Sequence, residues 1–384
     1  MRSWRVCGNE EKYLLELLDS GYPGSVPSGF TGRLEKAFAE RFGVKFAVSF
    51  CNGTATLHAA LAALGVGPGD EVIVPPLTMS STSFAVLHAG AKPVYADVDR
   101  ETFVLSPKSV KERITAKTKA IMPVSLYGLP APVDELSKFG LPIVEDSAEC
   151  YLGKLNGKLA GTIGQIGSFS FQNSKHITCG EGGMTVTDDP ELADALRRFS
   201  SLGYGQISAA PGKSKIDKND IANPETIRHT HFGFNFRLSD ICSAFALAQL
   251  ERLDDLVAAR IHCAEAFRDA ARGISWLKPQ RNPDNCVNSY WTAAFTLDTD
   301  VVPWHSFHKT FLEKGGDGFY GAWRLAYNEP WFAANVEHQP CPNAEYLQPR
   351  MIQMKTNYGT EQELFVQISA FMATIEALDK TAKR

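Results

Sequence analysis

Between residues 45 and 190 the chain repeats one pattern: a short, almost unbroken apolar run, a polar or glycine break, then helical spacing. The stretch "KFAVSFCNGTATLHAALAALGVGPGDEVIVPP" (45–76) reads as a strand, a glycine turn, a helix ending at Gly65 and a second β-branched strand. "KPVYADVD", "AIMPVSLYG" and "LPIVEDSAE" continue it, each an apolar run with polar residues at its C-terminal end. Strands apolar on both faces belong in a sheet covered by helices on both sides, and such sheets are mostly parallel. The pattern therefore predicts an α/β fold, and it gives the polar residues a common address, because ligands collect beyond the carboxyl ends of parallel strands.

Three groups share that address. Asn52, Gly53 and Thr54 open a helix directly after a strand, so backbone N–H groups and the Thr54 hydroxyl are placed to hold an anion. Glu145 and Asp146 close "LPIVED" and are expected to face the same crevice, although a strand-end acid also serves to cap a following helix. Lys175 lies in "SFSFQNSKHITCGEGG" (168–183), between a strand at 167–171 and a second one entering a polar turn at 183–189. A single loop lysine is ordinarily a solvated one. An anion-holding helix start, a strand-end acid and a lysine among glycines are nevertheless the parts that a pyridoxal phosphate site needs.

Bulk properties exclude other classes. A chain of 384 residues with 44% apolar content can bury a large core and is expected to form two domains. Its formal charge of -4 and its dispersed lysines and arginines offer no field for a nucleic-acid backbone. The N-terminus is interrupted by charge and no long apolar span follows, so no membrane partner and a cytoplasmic location are expected. The eight cysteines are scattered without paired spacing, as reduced thiols would be, and no metal is expected. His229 and His231 could share one side of an extended segment, but no third ligand stands at a recognisable spacing.

The ordered blocks "NGTATLH", "EVIVPPLT", "VEDSAE", "GSFSFQNSKHITCGEGGMTVTDD" and "GFNFRLSDICSAFALAQLERLD" resemble the DegT/DnrJ/EryC1/StrS sugar aminotransferases, within the fold type I pyridoxal phosphate enzymes, over residues 9–258. The resemblance implies a large domain (1–250) with a mostly parallel seven-stranded sheet between helices, and a smaller C-terminal α/β domain (251–384). It implies that Lys175 forms the Schiff base with pyridoxal 5'-phosphate and that Asp146 pairs with the pyridine nitrogen. Gly53, Thr54 and Ala55 would hold the phosphate, with Ser170 adding a hydroxyl. Glu149 stands where the family often has glutamine or histidine near the cofactor's O3'. Asn235 would reach a phosphate in the neighbouring subunit's site, which makes the unit a homodimer with shared active sites. The expected reaction moves an amino group from glutamate or glutamine to a keto-sugar or a small ketone, phosphorylated or not. One rival is a sugar dehydratase, but those relatives carry histidine at the Schiff-base position, and Lys175 argues against it. A non-catalytic amine-sensing regulator is a second rival, and no DNA-binding extension supports it.

The chain departs from the family pattern in three places. Met79 replaces the usual aromatic residue that stacks on the cofactor ring, and a thioether can also cover a ring face. The polar insert at 207–231 is expected near the dimer seam. At 315–332, "GGDGFYGAWRLAYNEPWF" offers Tyr320, Trp323, Arg324 and Tyr327 either as core or as a substrate-facing wall, and it resembles members acting on keto-octulosonates or small phosphorylated ketones more than those acting on nucleotide-linked hexoses. A long amphipathic helix is expected to bury Ile241, Phe245, Leu250, Leu253 and Val257, followed by a strand in "SYWTAAFTL" and a helix in "WHSFHKTFLEKGG".

Overall fold

The computed structural model describes residues 4–21, 29–210, 219 and 222–382. Seven strands form its central sheet: β1 (Phe46–Phe50), β2 (Glu71–Val74), β3 (Lys92–Tyr95), β4 (Thr118–Ile121) and β5 (Val144–Asp146), then, beyond a short hairpin of β6 (Lys154–Leu155) and β7 (Lys158–Leu159), β8 (Ile166–Ser170) and β9 (Gly183–Thr187). One part has the order β1-β9-β8-β5 and the other β3-β2-β4, and parallel bridges Ile121 to Ile143 and Val124 to Asp146 join β4 to β5. Only β9 runs against the rest. The mostly parallel seven-stranded sheet between helices is thus present.

The helices form where the spacing places them. In Phe30–Phe42, Leu34, Phe38 and Phe42 lie a turn apart and are buried, and Gly43 ends the helix in a left-handed conformation that only glycine adopts freely. The helix Gly53–Ala63 is apolar nearly all round because it is enclosed between the sheet and its neighbouring helices. A second, antiparallel sheet follows, built from β10 (Leu277–Pro279), β12 (Thr292–Leu297), β13 (Tyr320–Gly321) and β14 (Met351–Lys355) in the order β10-β12-β14-β13, while β11 (Cys286–Val287) pairs with β6.

The single helix expected around residues 241–257 is two, Asp240–Leu250 and Leu253–Ala270. The break lies where the polar pair Glu251 and Arg252 is drawn toward the N-terminal segment: Tyr13 Oη and Asn9 Nδ2 donate to Glu251, and Arg252 donates to Trp4 O. Ile241, on the first piece, is 48% exposed rather than buried. The second helix spans two cores, Leu253, Leu256 and Val257 packing with the large sheet's N-terminal side and Cys263, Ala264 and Phe267 with the antiparallel sheet. No described helix is long and apolar enough to cross a membrane. All eight cysteines are unpaired, and among the described residues no cluster of histidine, cysteine or carboxylate side chains is arranged for a metal. His229 and His231 turn to local partners, Leu202 O and Thr230 Oγ1. Within the insert, residues 211–218, 220 and 221 lie outside the described residues.

Candidate active site

The carboxyl ends of β1, β2, β5 and β8 open into a cavity of about 920 Å3 whose lining includes Gly53, Thr54, Ala55, Met79, Asp146, Glu149, Ser170 and Lys175. Residues far apart in sequence meet here because parallel strands deliver their ends to one edge. Asn52 caps the helix at Gly53, its Oδ1 accepting from Ala55 N at 2.8 Å. The Ala55 N–H is therefore engaged by the cap, whereas the Gly53 and Thr54 backbone and the Ser170 hydroxyl stand at the anion end. A Cβ on Gly53 would lie 2.9 Å from Ser170 Cβ, and one on Gly183 would lie 2.9 Å from the Asn52 carbonyl. These two glycines let the helix start, β8 and β9 approach each other as the cradle requires. Gly53→Ala is expected to weaken pyridoxal phosphate binding and to destabilise the fold by about 1–3 kcal/mol through overpacking. Absorbance titration and thermal melting measure the two effects, and an unchanged titration would contradict the cradle.

Asp146 is 4% exposed, and its carboxylate accepts from Thr82 Oγ1 at 2.9 Å and from Ala148 N at 3.2 Å. Burial raises its pKa, while those two donors and the nearby Lys175 oppose the rise. Glu145 does not face the crevice. Successive strand residues point to opposite sides, and Glu145 accepts from Gly161 N, Ile163 N and Gly164 N at 2.6–2.7 Å, pinning the turn before β8.

Lys175 Nζ lies 3.0 Å from Glu149 Oε1 and 4.6 Å from the centre of the Trp291 ring. Both partners of the ion pair are nearly enclosed, with side-chain exposures of 13% for Lys175 and 5% for Glu149. The other Glu149 oxygen accepts from Tyr127 N at 3.1 Å. Trp291, Tyr127 and Trp323 lie in near-parallel planes with centres 5.8–6.4 Å apart, forming one aromatic wall. Met79 also lines the cavity and is 53% exposed.

Other expected residues are placed differently. Tyr320 and Trp323 line the cavity, but Arg324 is exposed and does not. Tyr327 is core: 1% exposed, stacked on His338, its hydroxyl donating to Glu345 Oε1 at 3.0 Å. Asn235 is exposed and lines no part of its own chain's cavity. His176 is buried beside Tyr151 with its Nε2 at Ser289 O, turned away from the crevice. Sequence reasoning missed Thr82, His58, His88 and Trp291, all at or beside the cavity. For Trp291 the alternation in "SYWTAAFTL" signalled only a strand. His58 sits in a cage of Phe199, Phe234 and Phe236, and burial, with His88 adding to it, lowers its pKa to about 4.

A glycine-cradled anion site, a buried carboxylate and an enclosed lysine within one cavity fit pyridoxal phosphate. Together with the sheet order they define a fold type I pyridoxal phosphate enzyme. The chain belongs to the DegT/DnrJ/EryC1/StrS aminotransferase family, whose model matches residues 8–372, and it is a pyridoxal phosphate-dependent aminotransferase acting on small molecules. The match extends through the C-terminal third, well beyond residue 258. The chain is 34% identical over 310 residues to a GDP-perosamine synthase of Vibrio cholerae, covering 80% of this chain and 79% of that one. Among solved structures, an aminotransferase from Psychrobacter cryohalolentis superposes with a TM-score of 0.88 at 26% identity, over 100% of both chains. The GDP-4-keto-6-deoxy-D-mannose-3-dehydratase of E. coli, solved with bound hydrated PLP, superposes with a TM-score of 0.83 at 26% identity, over 94% of this chain and 96% of that one.

Proposed function

We propose that this enzyme transfers an amino group from glutamate or glutamine to the ketone of a nucleotide-linked hexose, making an amino sugar for a polysaccharide or a secondary metabolite. The observation that carries the reading is the convergence of Lys175, Asp146 and Glu149 in one cavity at the strand ends. The acceptor class is supported by the relatives, which are named for a GDP-linked amino sugar. That displaces the keto-octulosonate or small phosphorylated ketone suggested by residues 315–332.

Pyridoxal phosphate, when bound, supplies a carbonyl carbon for the amine and a ring that takes up the electrons left when the donor's Cα loses a proton. Gly53 and Thr54 would hold its phosphate through backbone N–H groups, with the Ser170 hydroxyl beside them. Asp146 would pair with the ring nitrogen, its carboxylate stabilised by hydrogen bonds from Thr82 and Ala148. Lys175 would anchor the cofactor and serve as the base for the proton at the donor's Cα. Met79 lines the same cavity, and Glu149 holds the Lys175 amine toward the aromatic wall. Trp323 and Tyr320 line the cavity beside the aromatic wall, where an acceptor would sit. A dehydratase reading is the weaker one despite the structural likeness to a dehydratase, since Lys175 occupies the reacting position and His176 is buried with its Nε2 at Ser289 O.

The site is shared between two copies of the chain. Asn235 is exposed and lines no part of its own cavity, and earlier in the same segment Phe232 and Ile227 are 79% and 74% exposed, apolar side chains that a second subunit would cover. Eight unpaired cysteines agree with a reducing, cytoplasmic setting. Mixing Lys175→Ala with Asn235→Ala subunits is expected to restore activity in hybrid dimers, because one hybrid site then carries both native residues. No rescue after confirmed subunit exchange would argue against a shared site.

The function is tested by the visible spectrum. The purified protein loaded with pyridoxal phosphate is expected to absorb in the visible, to shift to shorter wavelength with glutamate or glutamine, and to recover the original band when a GDP-linked 4-keto-hexose is added. Recovery with a small phosphorylated ketone alone would overturn the acceptor.

A further inference from the structure

Lys175 stands on an irregular connection between β8 and β9, yet three successive carbonyls of that connection are held from outside it. Arg5 Nη1 donates to Asn173 O at 2.9 Å, and its Nη2 donates to Lys175 O at 2.7 Å. Arg260 Nη2 donates to Ser174 O at 2.8 Å and to Lys175 O at 3.1 Å. Trp291 Nε1 donates to Ser174 O at 2.9 Å. Arg260 also locks Trp291, since its Nη1 reaches Trp291 O at 2.8 Å and Thr356 Oγ1 at 3.3 Å. The donors thus come from the N-terminal segment, from the helix Leu253–Ala270 and from the residue before β12.

Arg260 is 3% exposed and, among the described residues, makes no ion pair. Burial, with Arg5 adding to it, pulls its pKa down to about 9. A buried guanidinium with no carboxylate in direct contact, only Glu149 acting on it from a distance, is costly, and an apolar side chain would fill the space at lower cost. What this arrangement provides is charge-assisted hydrogen bonds to carbonyls that face away from any strand or helix. Local bonds close the turn before the lysine, from Lys175 N to Gln172 O at 3.0 Å and from Ser174 to Gln172 Oε1, and tie Thr178 and Cys179 back to Phe171 O, but none of them engages the carbonyls of residues 173–175. Arg5 is in turn anchored at the break between the two long helices, because Gln249 Nε2 donates to Arg5 O at 2.5 Å and Arg252 Nη2 to Trp4 O at 3.1 Å.

We propose that Arg5 and Arg260 are positioning residues for the reaction, fixing the main chain under Lys175 so that its amine stays between Glu149 and the Trp291 face. The N-terminal segment is then part of the active-site support, although it lies about 170 residues from the lysine it holds. A lysine side chain has four rotatable bonds, so its amine can be placed reproducibly only if its Cα is fixed. The proposal rests on reading Lys175 as the reacting amine.

Arg5 is the residue to change first, because it is half-buried and its loss leaves Arg260 in place. In full-length enzyme loaded with pyridoxal phosphate, Arg5→Gln is expected to slow the donor-driven absorbance change roughly 10- to 100-fold at saturating donor, with the half-saturating donor concentration and the melting temperature unchanged. Arg5→Lys, which can reach one carbonyl but not two, recovers part of the rate. In cofactor-free protein, amides 172–180 of Arg5→Gln are expected to exchange hydrogen faster than in wild type. Arg260→Gln should show both effects more strongly where it folds. Unchanged exchange together with an unchanged rate in folded Arg5→Gln overturns the proposal, as does a rate defect fully cured by excess pyridoxal phosphate. Should the wild type show no donor-driven change at all, the functional reading of Lys175 fails, while the exchange experiment still decides whether Arg5 holds the loop.

Discussion

Lys175→Ala is expected to abolish both transamination and the visible absorbance of the bound cofactor. Removing the proton-transfer group alone costs roughly 10²–10⁴-fold, and here the same side chain is also the covalent anchor, so no measurable turnover is expected. Retained turnover would refute the assignment. The substitution also strips Glu149 of its cation in a nearly enclosed site, where an unpaired charge is strongly destabilising. Thermal melting should therefore accompany the assay, and Lys175→Gln, which keeps a hydrogen-bond donor facing Glu149, separates lost chemistry from lost fold. Both variants are expected to be inactive and less stable than wild type, the glutamine variant by less because its amide still hydrogen-bonds Glu149.

Asp146→Asn is expected to separate stability from function in the opposite direction. A neutral amide cannot keep the ring nitrogen protonated, and losing one such electrostatic partner costs roughly 10²–10³-fold in turnover. The effect on folding has the other sign. Burial raises the Asp146 pKa in the folded state, so the folded chain binds that proton more tightly than the unfolded chain does. Stability then falls as pH rises from the unfolded carboxylate value of about 3.9 to the raised folded value, and the cost is complete above it. Asparagine removes that cost. Cofactor-free Asp146→Asn should melt at or above the wild-type temperature at pH 7, with the advantage shrinking as the pH falls toward 4. A variant that is less stable at pH 7 and regains stability on acidification would contradict the argument.

Much of this was legible because it depends on local pattern. The largely apolar runs that become the strands at 46–50, 71–74 and 118–121 read as strands covered on both faces, and once they are parallel, the residues after them must share an edge. Lys175, Asp146 and Gly53 were found by that logic. Glu145 was misassigned because a run that is apolar on both sides does not say which of two adjacent acids faces the crevice; the register of β5 against β8 does. For residues 320–327 the sequence left core and cavity wall open, in a segment without a readable period, and the structure puts Tyr327 in the core and Tyr320 and Trp323 along the cavity. The helix break at Glu251 carries no proline or glycine to announce it, and arises from contacts with residues more than 230 positions away.

By itself, then, the sequence determined the α/β architecture, the sheet edge at which the candidate site lies and the three groups that meet there, because strand alternation, helix starts and glycine turns are properties of neighbouring residues. Tertiary structure alone decided what surrounds the lysine. Trp291, Thr82, Arg260 and Arg5 reach the site through side chains whose partners lie 64 to 170 residues away, and a hydrogen bond over that separation leaves no periodic trace in the chain that forms it.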